Sequence, residues 1–169
     1  RFNDVFKPNN KLAELLADIQ RRLDNGEAPR DVFDTMEDFR EGYAVVRIRG
    51  VGWNYINKEN KILCPNMWFN EAFAFEEGFA QVYIEGEGYN YINTDGKILR
   101  DDIWFDKAEN FKEGLAAVKI KDKGWNWIKT DGKILRPDLW FYSVSYFREG
   151  FAPVEIKGKG CNFINTDGN

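Results

Sequence analysis

The chain has 169 residues, 43% of them hydrophobic, and its 28 acidic against 24 basic side chains leave a net charge of −4. That balance argues against binding nucleic acid through phosphate neutralisation, and no apolar run approaches the ~20 residues needed to cross a bilayer. Aromatic residues make up 16% of the chain and histidine is absent, so a packed core is expected without the commonest general base and metal ligand.

Cys64 and Cys161 are too few for a disulfide framework and show no metal-ligand spacing. The sequence begins at Arg1 and stops at Asn169 inside a turn signal. It reads as a piece of a longer chain, which leaves cellular location open.

Leu12, Leu15, Leu16, Ile19 and Leu23 fall on one face at helical spacing, with Asn10 as an N-cap and Asn25-Gly26 as a stop. Pro29 then permits a second, shorter helical turn through residues 31–38. Residues 1–38 are expected to form a helical cap over the first unit of a repeat array. The alternative is a linker helix that docks to an upstream domain or self-associates.

From Phe39 the chain repeats. Phe39-Arg-Glu-Gly-Tyr-Ala-Val-Val-Arg-Ile returns in altered form from Phe75, Phe111 and Phe147, 36 residues apart each time and without insertion. Three complete units (39–74, 75–110, 111–146) and a partial fourth (147–169) result. Within each, Ala, Val and Ile (116, 118 and 120 in the third unit) hold one face at period two, while the other face varies. A Gly-bearing turn leads to an aromatic-rich strand: Trp53-Asn54-Tyr55-Ile56, Tyr89-Asn90-Tyr91-Ile92, Trp125-Asn126-Trp127-Ile128, Cys161-Asn162-Phe163-Ile164. Asp95-Gly96, Asp131-Gly132 and Asp167-Gly168 are read as type I′ hairpin turns, and Lys-Ile-Leu as a short third strand before Trp68-Phe69 and its equivalents.

The order Phe-x-Glu-Gly-x-Ala-x-Val, Gly-aromatic-x-aromatic-Ile-Asn, Asp-Gly-Lys and an aromatic pair resembles the WG-containing β repeat of bacterial proteins. The resemblance covers residues 39–169. It implies an accessory or interaction module without catalytic residues to carry over. This sequence departs from the family at Asn54, Asn90, Asn126 and Asn162, where the family's usual residue is Gly. A second likeness, to choline-binding repeats, is weakened by their period of about 20 residues.

The fold expected is mainly β: tandem antiparallel meanders in an open, twisted, solenoid-like array with a short α-helical N-terminal cap, the alternative being propeller-like closure. Three strands side by side at ~4.8 Å place equivalent positions about 14 Å apart. At that distance Glu41, Glu77, Glu113 and Glu149 cannot converge on one cation, so they are read as turn residues bonding local backbone. The Asn column is read as a satisfied structural ladder. Phe39, Phe75, Phe111, Phe147 and the Trp-Phe pairs are read as core.

No catalytic residue, metal site or cofactor is expected. The binding candidates are the aromatic stripe Trp53, Tyr89 and Trp125, and the variable strand face. On that face Arg47 and Arg49 give way to Tyr83 and Glu85, then Lys119 and Lys121, then Glu155 and Lys157. Alternating charge favours a specific protein partner, or an adjacent domain of the same chain, over a polyanion. Exposed rings would instead favour a glycan.

Overall fold

The computed structural model describes residues 10–169, so the first nine residues of the expected cap lie outside the described residues. Helix α1 (Asn10–Asp24) buries Ile19 and Leu23. Gly26 ends it at φ +84°, with the Gly26 and Glu27 N–H groups donating back to the Leu23 and Arg22 carbonyls. That left-handed glycine satisfies the last carbonyls of the helix. A single turn, α2 (Pro29–Val32), follows. The helical turn expected through residue 38 stops there, because β1 (Thr35–Met36) pairs with Val46 and Arg47. Pairing to a sheet edge outweighs a weak local helical preference.

Four three-stranded antiparallel sheets come next, each in chain order. The first holds β1, β2 (Tyr43–Ile48) and β3 (Gly52–Asn57). The second holds β4 (Glu71–Ala72), β5 (Phe79–Ile84) and β6 (Gly88–Asn93). The third holds β7 (Lys107–Ala108), β8 (Leu115–Ile120) and β9 (Gly124–Lys129). The fourth holds β10 (Ser143–Val144), β11 (Phe151–Ile156) and β12 (Gly160–Asn165).

The tight turn in each unit is Glu-Gly, not Asp-Gly. Arg40 and Tyr43 exchange both backbone hydrogen bonds across Glu41 (φ +48°) and Gly42 (φ +87°). Positive φ at both central residues is the type I′ geometry, which matches the right-handed twist of the strands it joins. At Asp95-Gly96 only the glycine is left-handed, and Gly96 N–H donates to the Asn93 carbonyl while the Asn93 side chain accepts from Asp95 and Lys97 N–H. The Asx side chain thus organises a longer turn.

Lys-Ile-Leu does not form a strand. Residues 58–69 instead run along the outer edge of β3, touching it through the bridges Ile56↔Ile62 and Trp53↔Phe69 and a Leu63 N–H bond to the Tyr55 carbonyl. The segment covers an edge that would otherwise offer free donors and acceptors. Gly52 makes this approach possible: a Cβ there would stand 2.6 Å from the Phe69 carbonyl oxygen. Gly88 is equally close to Phe105, at 2.5 Å.

The sheets stack face to face rather than side by side. Val45 and Tyr55 from the first sheet share a cluster with Ala80, Val82, Ile84 and Ile92 from the second. Tyr91 packs likewise with Ala116, Val118 and Ile128, and Trp127 with Ala152, Val154 and Ile164. The variable face is therefore not free. In the first three sheets its central residues, Val45, Gln81 and Ala117, lie under the next sheet. Stacked sheets sit ~10 Å apart, shorter than the 14 Å expected of strands laid edge to edge.

Each cluster joins sequence neighbours only, and none joins the first sheet to the fourth. The array is open. At its start Ile19, Leu23 and Phe33 cover Ala44, Val46, Ile48, Ile56 and Trp68, so α1 stands where a preceding sheet would stand. Phe39 departs from the core assignment at 39% exposure, against 1–3% for Phe75, Phe111 and Phe147. Those three pack onto aromatic residues of the preceding sheet, which Phe39 does not have.

These contacts separate two kinds of glycine. Replacing Gly78, at φ +80° in open space, with Ala is expected to cost about 1 kcal/mol, and with Val more, from backbone strain alone. Gly88→Ala adds a clash with backbone and is expected to cost clearly more than Gly78→Ala. Urea unfolding of the three variants checks the order.

Candidate functional site

Four polar columns recur with the repeat, and each is bonded to backbone. Asn54 is fully buried on β3; its Nδ2 donates to the Cys64 carbonyl at 2.7 Å and the Met67 carbonyl at 3.0 Å, while Oδ1 accepts from Tyr55 and Cys64 N–H. Asn90 donates likewise to the carbonyls of residues 100 and 103, and Asn126 to those of residues 136 and 139. The amide offers two donors and two acceptor positions, and the loop uses both kinds. Glycine at this position would leave those loop groups without side-chain partners.

The glutamates join one repeat to the next. Glu41 Oε1 and Oε2 accept from the N–H groups of Glu77 (2.9 Å) and Gly78 (2.8 Å), and Glu77 accepts from Glu113 and Gly114, both at 2.9 Å. Glu41 and Glu77 thus each grip the following type I′ turn, whose two left-handed residues aim their N–H groups together; Glu113 makes no such bond to the turn at Glu149 and Gly150. Such a pair of amides favours an anion. Successive turns are in direct hydrogen-bond contact, closer than the strand-spacing estimate allowed, yet the carboxylates are engaged by amides and not by one another. No His/Cys/Asp/Glu group among the described residues could hold a metal ion.

Two further columns are not marked by any residue-type signal in the sequence, although the 36-residue phase contains both. Arg100 forks onto Asp102 through Nε and Nη2 and passes Nη1 to the Gly132 carbonyl at 2.8 Å; Arg136 repeats this with Asp138 and Gly168. The guanidinium hydrogen bond holds the Asp102 and Asp138 carboxyls below the usual carboxylate range. In the first unit Cys64 occupies the position, 3.6 Å from the Gly96 carbonyl, and burial pushes its thiol up to about 12. Asn60, the equivalent of Gly96, receives Gln20 of α1 at 3.3 Å. The other column is Asp34, Asn70 and Asp106, whose side chains accept from the N–H groups of Arg49, Glu85 and Lys121.

The binding candidates come together in cross-strand pairs at the hairpin ends of the sheets. Arg47 faces Trp53, Tyr83 faces Tyr89, and Lys119 faces Trp125. The Arg47 guanidinium lies 5.2 Å from the Trp53 ring centroid, Lys119 Nζ 5.8 Å from that of Trp125, and the two tyrosine rings 4.8 Å apart. Cation–π and ring pairs of this kind contribute roughly 0.5–1 kcal/mol at exposed sites. The three ring residues of the stripe are half-buried, with their inner parts against the core clusters. Burial raises the Tyr89 hydroxyl above its ordinary range. Arg49 and Lys121 are exposed at the turn tips, apart from the rings.

Three segments, residues 32–51, 105–125 and 141–159, match the family described as WG containing repeat. Each spans a short strand, the Glu-Gly turn and the long strand after it, so the chain carries repeats of that family. No curated protein sequence matches the chain. Among solved structures it is similar to the computationally designed Ika4 protein, at 12% identity and TM-score 0.47, covering 75% of this chain and 87% of that one. It is also similar to the designed Ika8 protein, at 11% identity and TM-score 0.46, covering 79% of this chain but only 45% of that one. BamB from Moraxella catarrhalis matches at 10% identity and TM-score 0.41, covering 85% of this chain and 44% of that one.

Asn90→Ala is expected to cost roughly 2–4 kcal/mol, because it strands the Arg100 and Ile103 carbonyls of the loop and removes the side-chain acceptor of the Tyr91 N–H. Asn162→Ala, at an exposed position bonded only to Phe163 N–H, is expected to change stability by less than about 0.5 kcal/mol. Thermal unfolding compares the two. Glu77→Gln, which leaves one acceptor oxygen for two N–H groups, is expected to lower stability by roughly 1 kcal/mol. Added calcium should leave the melting temperature of both parent and Glu77→Gln unchanged, which differential scanning calorimetry checks.

Proposed function

We propose that this array of WG repeats is a non-catalytic scaffold that binds a protein partner, or an adjacent domain of its own chain, along the hairpin ends of its sheets. The observation that carries the reading is where the repeated side chains go. The Asn54, Asn90 and Asn126 amides, the Glu41 and Glu77 carboxylates and the Arg100/Arg136 guanidinium groups are engaged with backbone of their own or the next unit. Those columns build the array. The residues left to differ from sheet to sheet at the surface are the pairs Arg47/Trp53, Tyr83/Tyr89 and Lys119/Trp125, with Arg49, Glu85 and Lys121 beyond them.

That row is rigid, ringed and mixed in charge. Its rings sit on β-strands braced by the loop bridges at Phe69, Phe105 and Phe141. Arg and aromatic residues are the side chains that most often dominate protein interfaces. The glycan reading is disfavoured because sugars stack on open ring faces, whereas Trp53 and Trp125 pack inward on the core and carry a cation against the ring. Glu41, Glu77, Arg100 and Arg136, which could otherwise supply acid or base chemistry, are held by backbone amides and carbonyls, which supports a role without catalysis.

Photo-crosslinking residues placed at Arg47, Tyr83 and Lys119 are expected to give the same discrete protein adduct, while placement at Lys58 and Asp95, at the opposite end of the strands, gives none. The double variant Arg47→Glu/Lys119→Glu is expected to abolish the adduct at position 83 while lowering the melting temperature by only the few degrees that loss of two exposed cation–π pairs implies. Retention on a glycan array that is lost in Trp53→Ala would overturn the reading in favour of carbohydrate.

A further inference from the structure

The two middle hairpin ends carry opposite charge, and neither finds its counter-charge within the chain. Across the second sheet Glu71 stands opposite Tyr83, and the tip adds Glu85 and Glu87, with no lysine or arginine in either segment. Across the third sheet Lys107 stands opposite Lys119, and the tip adds Lys121 and Lys123, so that lysines outnumber Asp106 and Asp122 there. Glu71, Glu85, Glu87, Lys107, Lys121 and Lys123 are all exposed, and among the described residues none of the six forms an ion pair. The outer ends differ. Arg49 at the first tip has Asp34 at 3.8 Å, and at the fourth the Glu155 carboxylate accepts from the Ser143 hydroxyl at 3.2 Å beside Lys157 and Lys159.

The rings follow the same division. Arg47 and Lys119 each set a cation on a tryptophan of their own sheet. The Tyr83 and Tyr89 rings, 4.8 Å apart, carry no such cation among the described residues.

We infer that the protein partner of the hairpin-end row is a second copy of this chain, an identification that rests on the role proposed for that row. Within one chain the acidic and basic ends stand side by side, ~10 Å apart as stacked sheets are, and their side chains do not pair. A two-fold axis between the second and third sheets instead sets each acidic end on the basic end of the other copy, twice over. It also brings the lysines of the third tip to the Tyr83–Tyr89 pair, which supplies the cation that pair lacks. Because both copies use the same patch, association closes at the dimer. Two hairpin ends, each three strands wide, bury roughly 300 Å² per copy, the size of a transient contact steered and aligned by charge. Exposed charge pairs are screened by salt, so the dimer belongs to low ionic strength.

Charge reversal followed by mixing tests this. Sedimentation equilibrium of the parent is expected to show a reversible dimer at about 20 mM salt and monomer at about 1 M. Glu85→Lys/Glu87→Lys and Lys121→Glu/Lys123→Glu change only exposed tip side chains, and the backbone bonds from residues 85 and 121 to Asn70 and Asp106 are kept. Each double variant alone sets like charge on like, and its dissociation constant is expected to rise at least ~10-fold. Mixed one to one, the two restore opposite charge at both contacts and should associate as the parent does. All four substitutions in one chain should re-form the homodimer. A parent that stays monomeric up to ~1 mM at low salt overturns the dimer. So does a double variant that dimerises as the parent does, a mixture that stays monomeric although both variants keep the parent's melting temperature, or association that runs past two copies. A crosslinked adduct at position 83 of twice the chain's mass supports it. An adduct of another mass from a monomeric parent overturns the second copy as partner and leaves the role of the row standing, whereas a monomeric parent that gives no adduct overturns both.

Discussion

A three-stranded sheet with apolar side chains on both faces has no core of its own. In this chain every sheet depends on a neighbour to cover it, and that constraint shapes the rest. The side chains of β2 divide between two clusters, Ala44, Val46 and Ile48 toward α1, Val45 toward the second sheet. Burial of this kind is worth about 25 cal/mol per Å² of apolar surface, but only while the next sheet stays in register. The polar columns hold that register. Glu41 and Glu77 tie consecutive turns at one end of the strands, and Arg100 and Arg136 tie consecutive Gly carbonyls at the other. One insertion would pull these columns out of phase, which accounts for a period kept without gaps.

The same constraint explains why a helix can begin the array. The first sheet needs apolar cover, a donor for the Asn60 carbonyl and little else. Ile19 and Leu23 supply the cover, Gln20 the donor, and Asp24 adds an ion pair with Lys61 at 2.6 Å. Four positions spaced within about one and a half helical turns thus do what a preceding sheet does elsewhere through several strands. Phe39 shows where the imitation ends, since the helix has no aromatic residue to set against it.

Strands, period and cap were legible in the sequence because each rests on a local pattern, the strands and period on one repeated four times. The partner of the variable face was not. A period-two pattern with one fixed and one drifting face describes a half-solvated sheet and a sheet packed on a non-identical neighbour equally well. Val45, Gln81 and Ala117 vary because each need only suit one neighbour, and Gln81 stays buried by donating to the Ala108 carbonyl at 3.0 Å. The tight turn escaped local rules for a related reason. Glutamate rarely adopts positive φ, so those rules give the type I′ turn to Asp-Gly. Glu41, Glu77, Glu113 and Glu149 all take that conformation before a glycine, and at Glu41 and Glu77 the carboxylate also collects two hydrogen bonds from a turn 36 residues away, a gain that no local rule contains.

The candidate site was legible as a set of residues but not as a geometry. The stripe Trp53, Tyr89 and Trp125 was identifiable from phase alone, and the register of the hairpins sets Arg47, Tyr83 and Lys119 opposite it. That pairing changes what the rings can do. A tryptophan with a guanidinium over it and the core behind it is a fixed, partly charged post, suited to complementary shape and charge on another protein. Because the columns that align the sheets lie at other positions, the pair at each hairpin end can change without disturbing the stack. Cation–aromatic, aromatic–aromatic and cation–aromatic pairs follow one another from sheet to sheet for that reason. The fold supplies the spacing, and the hairpin ends carry the variation.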